Sequence, residues 1–332
     1  MSVTIFDVAE RAGVSISTVS RVLNGRDRVN PDTARRVQAA VDSLGFRQNA
    51  LARALVTRRS EMVGLIIPKV NDPFHFEIVR GVEDAVSLSN HSLLIVSQTR
   101  NDGEERNLVP FQRGLVDAII AVAVDLSRAE MADLEKRNVP LVLVQQTEGE
   151  DIPSFVTDNY GGACQLTEHL LDHGYQRFAY ISGSNLTCDS AERLRGLRDS
   201  LAGRGLALDD RYIAPGDYLR GSGYEAMQRL LALDPLPDVV FAANDQMASD
   251  ALLVINEYGL RVPEDIAIAG FDDVPLASYI TPALTTVHQP TYELGFQAAQ
   301  AALNIVKEEK PIEPMHVVLP TRLVVRRSCG CH

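Results

Sequence analysis

Short helical periods open this chain, and strand-length apolar runs fill the rest of it. Asp7, Val8, Ala9 and Ala12 lie on a short amphipathic stretch, Gly13 is a turn residue that tolerates positive φ, and Val14 is apolar beyond it. Ser15 stands where a hydroxyl accepts a free amide at a helix start. The helix it predicts keeps Val19, Val22 and Leu23 on one face and turns Ile16, Ser17, Ser20 and Arg21 outward. Two short helices joined by a turn, with polar residues at the front of the second, are the pattern of a major-groove reader. Pro31 followed by DTARRVQAAVDSLGF predicts a third helix, with Asn30 as N-cap, Val37, Ala40, Val41 and Leu44 inward, and Gly45 as its stop. The following QNALARALVTRRS is rich in helix formers but too short to be stable alone, so its ordering needs a partner.

From Met62 the period changes. MVGLII, LLIV, AIIAVAV, VPLVLV, FAYIS, DVVFAA and DIAIAG alternate with longer helical patterns. Such nearly continuous apolar strands are buried on both faces, which predicts parallel sheets covered by helices, and two such sets predict two α/β lobes. Ligands of open parallel sheets bind at the carboxyl ends of the strands. The loops to search are therefore PKVNDPFHF, the position of Gln145, DNYGG, SGSN with SAERLRG nearby, AAND and GFDD.

Charge divides at the same place as period. The 332 residues carry a net −12, yet the first sixty hold ten arginines against five acids, a net of +5, leaving −17 on the remainder. A basic head on an acidic body suits a protein whose head meets phosphates while the body stays off nucleic acid. No apolar run is long enough for a bilayer, and the N-terminus lacks a secretory pattern, so the expected compartment is the cytoplasm, at the nucleoid. Cys164, Cys188, Cys329 and Cys331 are too few and scattered for a disulfide scaffold. The terminal Cys-Gly-Cys-His lacks the second pair that closes a tetrahedral zinc site, and His169 and His173, at i and i+4 in EHLLDHG, lack the glutamate of a zincin helix; no metal site is expected. Phosphate-binding, dinucleotide-binding and nucleophile-elbow motifs are missing too, so neither catalysis nor a cofactor is expected.

TIFDVAERAGVSISTVSRVLNG and VNPDTARRVQAAVDSLGFRQNALARAL resemble the head and hinge of the LacI/GalR family of bacterial transcription regulators, and the match continues through the body to TTVHQP and LPTRLVVRRS. The implied fold is α/β, a small all-α helix-turn-helix head plus a two-lobed periplasmic-binding-protein-like body with parallel sheets. The implied domains are a head at 1–48, a hinge helix and linker at 49–60, and an effector-binding and dimerisation body at 61–332. Within that body the N-subdomain covers about 61–158 and 290–319, and the C-subdomain about 159–289 and 320–332.

By position, the resemblance makes Ile16, Ser17 and Arg21 the base-facing residues. A guanidinium at Arg21 can grip guanine bidentately, whereas Ile16 offers apolar contact and Ser17 a short hydroxyl. Thr4, Thr18, Ser20, Asn24 and Asn30 are candidate contacts to the DNA backbone, with ordinary capping the competing role. Leu55 falls at the family's hinge leucine, which wedges between base pairs and kinks the operator, and Asn49, Ala52 and Arg53 accompany it toward the minor groove. In the body, Arg193 and Asp272 fall at the family's effector arginine and carboxylate, with Phe74, Gln145, Asn244 and Asp245 lining the same pocket. These types suit a polyhydroxylated ligand: carboxylates accept from neighbouring hydroxyls, a guanidinium donates to two oxygens, and an aromatic face packs a sugar ring. Gln145 departs from the aspartate of several sugar-responsive members, keeping an acceptor but losing the charge.

The implied protein is a repressor that binds a near-palindromic operator as a homodimer, gated by a sugar-like small molecule. No leucine-heptad tail suggests a tetramer. Two alternatives remain open: the same DNA role under a protein or phosphoprotein corepressor, and a soluble sugar-binding receptor without DNA function.

Overall fold

A computed structural model of the chain describes residues 3–23, 29–46, 59–97, 115–124, 126–147, 151–184, 188–308 and 315–331. They fall in two compact units, Met1–Glu61 and Met62–His332. Among its described residues, the first unit holds three helices, α1 (Ile5–Ala12), α2 (Ile16–Leu23) and α3 (Pro31–Leu44). The Asp7 carboxylate accepts from both the amide and the hydroxyl of Thr4 at 2.7 Å, which fixes the start of α1. Gly13, at φ 63°, ends it in the left-handed conformation, and the amide of Val14 reaches back to the Ala9 carbonyl. At α2 the Ser15 hydroxyl accepts the Thr18 amide at 3.3 Å. Asn30 caps α3 through the Asp32 amide at 2.9 Å. Val8, Val19 and Val37 are wholly inaccessible at the centre of the three helices, and Arg36 of α3 donates to the carbonyls of Ala12 and Gly13, fastening α3 to the turn.

Among the described residues, the second unit holds two parallel sheets and one two-stranded antiparallel ribbon. β1 (Met62–Ile67), β2 (Ser92–Ser97), β3 (Ala118–Val122), β4 (Leu141–Val144), β5 (Ser154–Thr157) and β11 (His316–Leu319) form one sheet in the order β11-β5-β4-β3-β1-β2, with every pair parallel. Successive side chains on a strand point to opposite faces. Accordingly Val63, Leu65, Ile67, Ile120, Val142 and Val144 pack beneath α4 (Pro73–Leu88) and α11 (Thr291–Glu308), while Ile66, Ile119, Ala121, Leu141 and Leu143 meet Leu134 of α5 (Arg128–Lys136) on the other face. Burial on both faces is why these segments read as unbroken apolar runs.

The second lobe is a four-stranded parallel sheet, β7-β6-β8-β9, built from β6 (Phe178–Ile181), β7 (Ile213–Ala214), β8 (Val239–Ala242) and β9 (Ala267–Ala269). Its helices are α6 (Asn159–Asp172), α7 (Cys188–Gly203), α8 (Ser222–Leu231), α9 (Asp245–Glu257) and the short α10 (Leu276–Tyr279). All seven apolar runs singled out in the sequence contain strands. One pair departs from the parallel expectation, because β10 (Thr286–His288) and β12 (Arg322–Val324) run antiparallel. The reason is connectivity. β10 leads out of the second lobe into α11 of the first, and β12 leads back from β11, so the two must run in opposite senses.

Three crossings join the lobes, at Asp158, at Gln289-Pro290 and at Pro320-Thr321. Two of them are laced together, with the Asp158 amide donating to the Leu319 carbonyl at 2.9 Å and the Thr321 hydroxyl to the Asp158 carbonyl at 3.0 Å.

α4 and α11 touch backbone to backbone. A Cβ at Gly81 would lie 2.1 Å from the Tyr292 carbonyl oxygen, and one at Gly295 would lie 2.2 Å from that of Ile78. Gly81→Ala is therefore expected to push the helices apart and destabilise the body by roughly 1–3 kcal/mol. The readout is a lower urea midpoint with an unchanged m-value.

Candidate functional site

Ile16, Ser17 and Arg21 stand exposed on one side of α2, with Ile16 39% accessible, while Val19 on the other side is fully buried. The small polar residues expected at phosphates have other partners. The Thr4 hydroxyl donates to Asp7, the Asn30 side chain caps α3, and the Thr18 hydroxyl lies 2.9 Å from that of Ser15. Capping thus occupies Thr4 and Asn30, the competing role for these residue types; Ser20 is partly buried on α2. Asn24, Asn49, Ala52, Arg53 and Leu55 lie outside the described residues.

In the body, the loops at the carboxyl ends of β1, β4, β8 and β9 converge beside the crossings. Arg193 of α7 is 3% exposed, and its guanidinium is held by hydrogen bonds and an ion pair. Nε donates to the Asn159 side chain at 2.8 Å, Nη1 donates to the Ala243 carbonyl, and Nη1 lies 3.6 Å from the Asp272 carboxylate. Its plane sits over the Phe271 ring, 3.9 Å from guanidinium carbon to centroid. Asp272 also accepts from Gln289 Nε2 at 2.6 Å. The Gln289 carbonyl oxygen in turn accepts from the Thr157 hydroxyl and, at 3.1 Å, from the Gln145 amide. Arg193 and Asp272 belong to the second lobe, Gln145 and Thr157 to the first, and Gln289 to a crossing, so one polar chain spans the two lobes.

The six residues expected around an effector therefore separate. Phe74 and Asp272 line a cavity of about 220 Å³ at the mouth of the cleft, together with Gln289, His288 and Tyr292. Arg193 and Gln145 lie behind it, joined to Asp272 through an ion pair and through Gln289. Asn244 and Asp245 are occupied structurally. Asn244 caps α9 through the Met247 amide at 2.9 Å, and Asp245, wholly buried, accepts from the Thr286 hydroxyl and from the Val274 amide at 2.9 Å. Sequence reasoning assigned no role to Gln289, Thr157 or Asn159. Gln289 was within sight, inside TTVHQP, but an uncharged side chain at a crossing gives no chemical signal before its neighbours are known.

Asp272 and Asp273 both have positive φ, 114° and 58°. Non-glycine residues rarely occupy this region, and it turns the two carboxylates to different partners. Asp273 accepts from His288 at 3.0 Å and from Arg326 at 2.6 Å; burial raises its pKa, but these two bonds outweigh burial and hold it below the usual aspartate range. Burial pushes Asp272 up to about 7, because the nearby Arg193 charge and the Gln289 hydrogen bond only partly offset it, and Asp72 and Asp189 add repulsion. Burial likewise holds Asp245 well above the ordinary range, with the Asp272 charge adding to the effect.

The fold brings a second pair of ligand-type side chains beside the terminal cysteines. β12 returns the chain beneath α6, and the ligand atoms of Cys329 and Cys331 lie with those of His169 and His173 within 4.8 Å of one another. The missing second pair comes from a helix some 160 residues upstream.

Comparison with known proteins agrees with this geometry. Residues 4–49 match the family model described as bacterial regulatory proteins, lacI family, and residues 167–329 match a periplasmic binding protein-like domain. Catabolite control protein A of Priestia megaterium is 35% identical over 99% of both chains. The transcriptional regulator GalR of Escherichia coli is also 35% identical, over 98% of this chain and 95% of its own. Among solved structures, the lac repressor dimer bound to operator and the anti-inducer ONPF superposes with a TM-score of 0.89 at 27% identity, covering 100% of both chains. The complex of the regulator CelR with cellobiose gives a TM-score of 0.76 at 34% identity, over 98% of this chain and 99% of that one. A helix-turn-helix head and a two-lobed receptor-type body define a DNA-binding transcription regulator. The chain belongs to the LacI family of bacterial regulatory proteins.

The high pKa of Asp272 has a definite sign. The folded state holds this proton more tightly than an unfolded aspartate, so the group favours the fold at low pH, and that contribution is lost between the ordinary value of 3.8 and about 7. In a carbon-13 carboxyl titration of the whole protein, one aspartate is expected to titrate near 7 and to vanish in Asp272→Asn. A wild-type Asp272 titrating with the surface aspartates would contradict the burial argument.

Proposed function

We propose that the protein is a repressor that binds a near-palindromic operator as a homodimer, with Ile16, Ser17 and Arg21 of α2 at the base edges, and that a sugar-like metabolite in the interlobe cleft sets its affinity. In this reading residues 1–48 are the head, 49–60 the hinge and 61–332 the receptor, and the protein acts in the cytoplasm on the nucleoid. Among the described residues, no helix is long and apolar enough to cross a membrane. One observation carries the effector reading, namely the buried chain Arg193–Asp272–Gln289–Gln145 that joins both lobes at the strand ends. A ligand whose hydroxyls replace some of these bonds favours one lobe arrangement over another. Differential affinity for two arrangements is the thermodynamic requirement for a switch. Two named neighbours support the ligand class, one complexed with cellobiose and another LacI-family regulator with bound ribose.

Arg21 is the strong reader in this scheme. Arg21→Ala is expected to weaken operator binding by about 1–3 kcal/mol, roughly five- to 150-fold, and to relax preference at one base position of each half-site, as measured by anisotropy with operator variants. Uniform loss on all sequences would reduce Arg21 to a phosphate contact.

Calorimetry with a panel of sugars and nucleosides, paired with operator binding, tests the effector. A sugar is expected to bind and shift operator affinity, with binding tightening from pH 6 to 8 as Asp272 ionises and becomes a stronger acceptor with no proton to displace, and with that pH dependence missing in Asp272→Asn. No heat from any member, with operator affinity altered only by a protein partner, would replace the small-molecule reading.

A further inference from the structure

The tail of the chain crosses the second lobe on a sequence of fixed points. The Arg326 amide donates to the Thr285 hydroxyl at 2.9 Å, the Ser328 hydroxyl to the Ile268 carbonyl at 2.6 Å, and the Ile268 amide to the Ser328 carbonyl at 3.0 Å. Beyond Ser328 the chain turns through Gly330, whose φ of 97° is one that L side chains rarely adopt, so both flanking cysteines face α6. His169 sits in the last turn of α6 and His173 caps it, one helical turn apart, which places the two rings on the same side.

The atoms that meet are the right ones. His169 Nε2 lies 3.3 Å from Cys329 Sγ and 3.7 Å from Cys331 Sγ, and His173 Nε2 lies 3.1 Å from Cys331 Sγ. A tetrahedral zinc ion with bonds of about 2.3 Å to sulfur and 2.0–2.1 Å to nitrogen separates its ligand atoms by roughly 3.3–3.8 Å. Three of the six separations are thus close to the edge lengths of such a tetrahedron, and all four atoms lie within 4.8 Å of one another. Cys329 is fully buried and its sulfur receives the Thr285 hydroxyl at 3.0 Å, an outer hydrogen bond of the kind that steadies a thiolate. The Tyr175 hydroxyl fixes the Cys329 carbonyl at 3.1 Å. Cys331 is partly accessible and His173 exposed, so an ion has a route in.

We propose that Cys329, Cys331, His169 and His173 form a Cys2His2 site for a borderline-soft divalent ion, zinc above all, that staples the C-terminal tail to the end of α6. The same tail carries Arg326, whose guanidinium bonds Asp273 beside Asp272, so the staple holds one wall of the cleft. Binding leaves the metal in its divalent state and releases the two thiol protons to solvent, while the imidazoles coordinate as neutral bases. The site is independent of the sugar and operator readings, and its test uses neither.

The experiment takes tag-free, full-length protein, reduced and stripped of metal. Addition of zinc is expected to load one ion per chain, to release about two protons at a pH where the free thiols are protonated, and to raise the thermal midpoint. Cobalt(II) is expected to give the intense visible bands of tetrahedral coordination with thiolate-to-metal charge transfer in the near ultraviolet. Cys331→Ser and, separately, His173→Asn at the exposed helix end should each weaken zinc binding by at least about a hundredfold, whereas Cys188→Ser should leave it unchanged. Circular dichroism identifies any variant that fails to fold, and His173→Asn, on the surface, serves if Cys331→Ser does. A six-coordinate cobalt spectrum, zinc uptake equal in wild type and both variants, or no uptake by the reduced protein would overturn the proposal.

Discussion

A buried guanidinium governs the body of this protein. Arg193 is as inaccessible as a core leucine, and a charge in that position is costly unless its donors are matched and an opposite charge is near. The match comes from three separate pieces of chain: Asn159 at the start of α6, the Ala243 carbonyl after β8, and the turn after β9, which supplies both the Asp272 carboxylate and the face of Phe271. None of these alone compensates for the burial. The lobe must close around Arg193 with its strand ends in register, and the strained GFDD turn is part of that closure.

The consequence reaches the other lobe because the compensation is incomplete on the acidic side. Asp272 and Asp189, which both interact with Arg193, have pKa values raised by burial, so one guanidinium faces more carboxyl groups than it can neutralise. Asp272 makes up part of the difference with a neutral donor, Gln289, and Gln289 completes its own bonding with Thr157 and Gln145 of the first lobe. A buried network satisfied in one arrangement resists intermediate ones, since each half-made state strands a polar group. Two lobes joined by such a network and by three short crossings are suited to a few discrete closures rather than a continuum.

The strands were legible in the sequence, for a physical reason. Burial on both faces of a parallel sheet erases polar alternation, so β1, β3 and β8 announce themselves as runs. Short segments that pair only where the lobes meet, such as β10 and β12, carry three residues each and no distinguishable period. Arg193 and Asp272 were legible as charges in loops where a sheet presents its ligands, and by resemblance. What separates them from Asn244 and Asp245 was not, because a carboxylate that caps a helix and one that faces a cleft have the same letter. The quartet of Cys329, Cys331, His169 and His173 was hidden by distance along the chain: each pair was visible, but only the return of the tail beneath α6 joins them.

The division of charge gains a structural meaning from the same principles. Among the described residues, Arg11, Arg21, Arg35 and Arg36 stand on the short helices of the head, and Arg36 spends its guanidinium on the turn itself, so the outward charge these helices offer a duplex resides in positions such as Arg21. The acidic body repels phosphate at any distance within about 10 Å at moderate salt. Nonspecific attraction to a duplex is thus concentrated on the first unit.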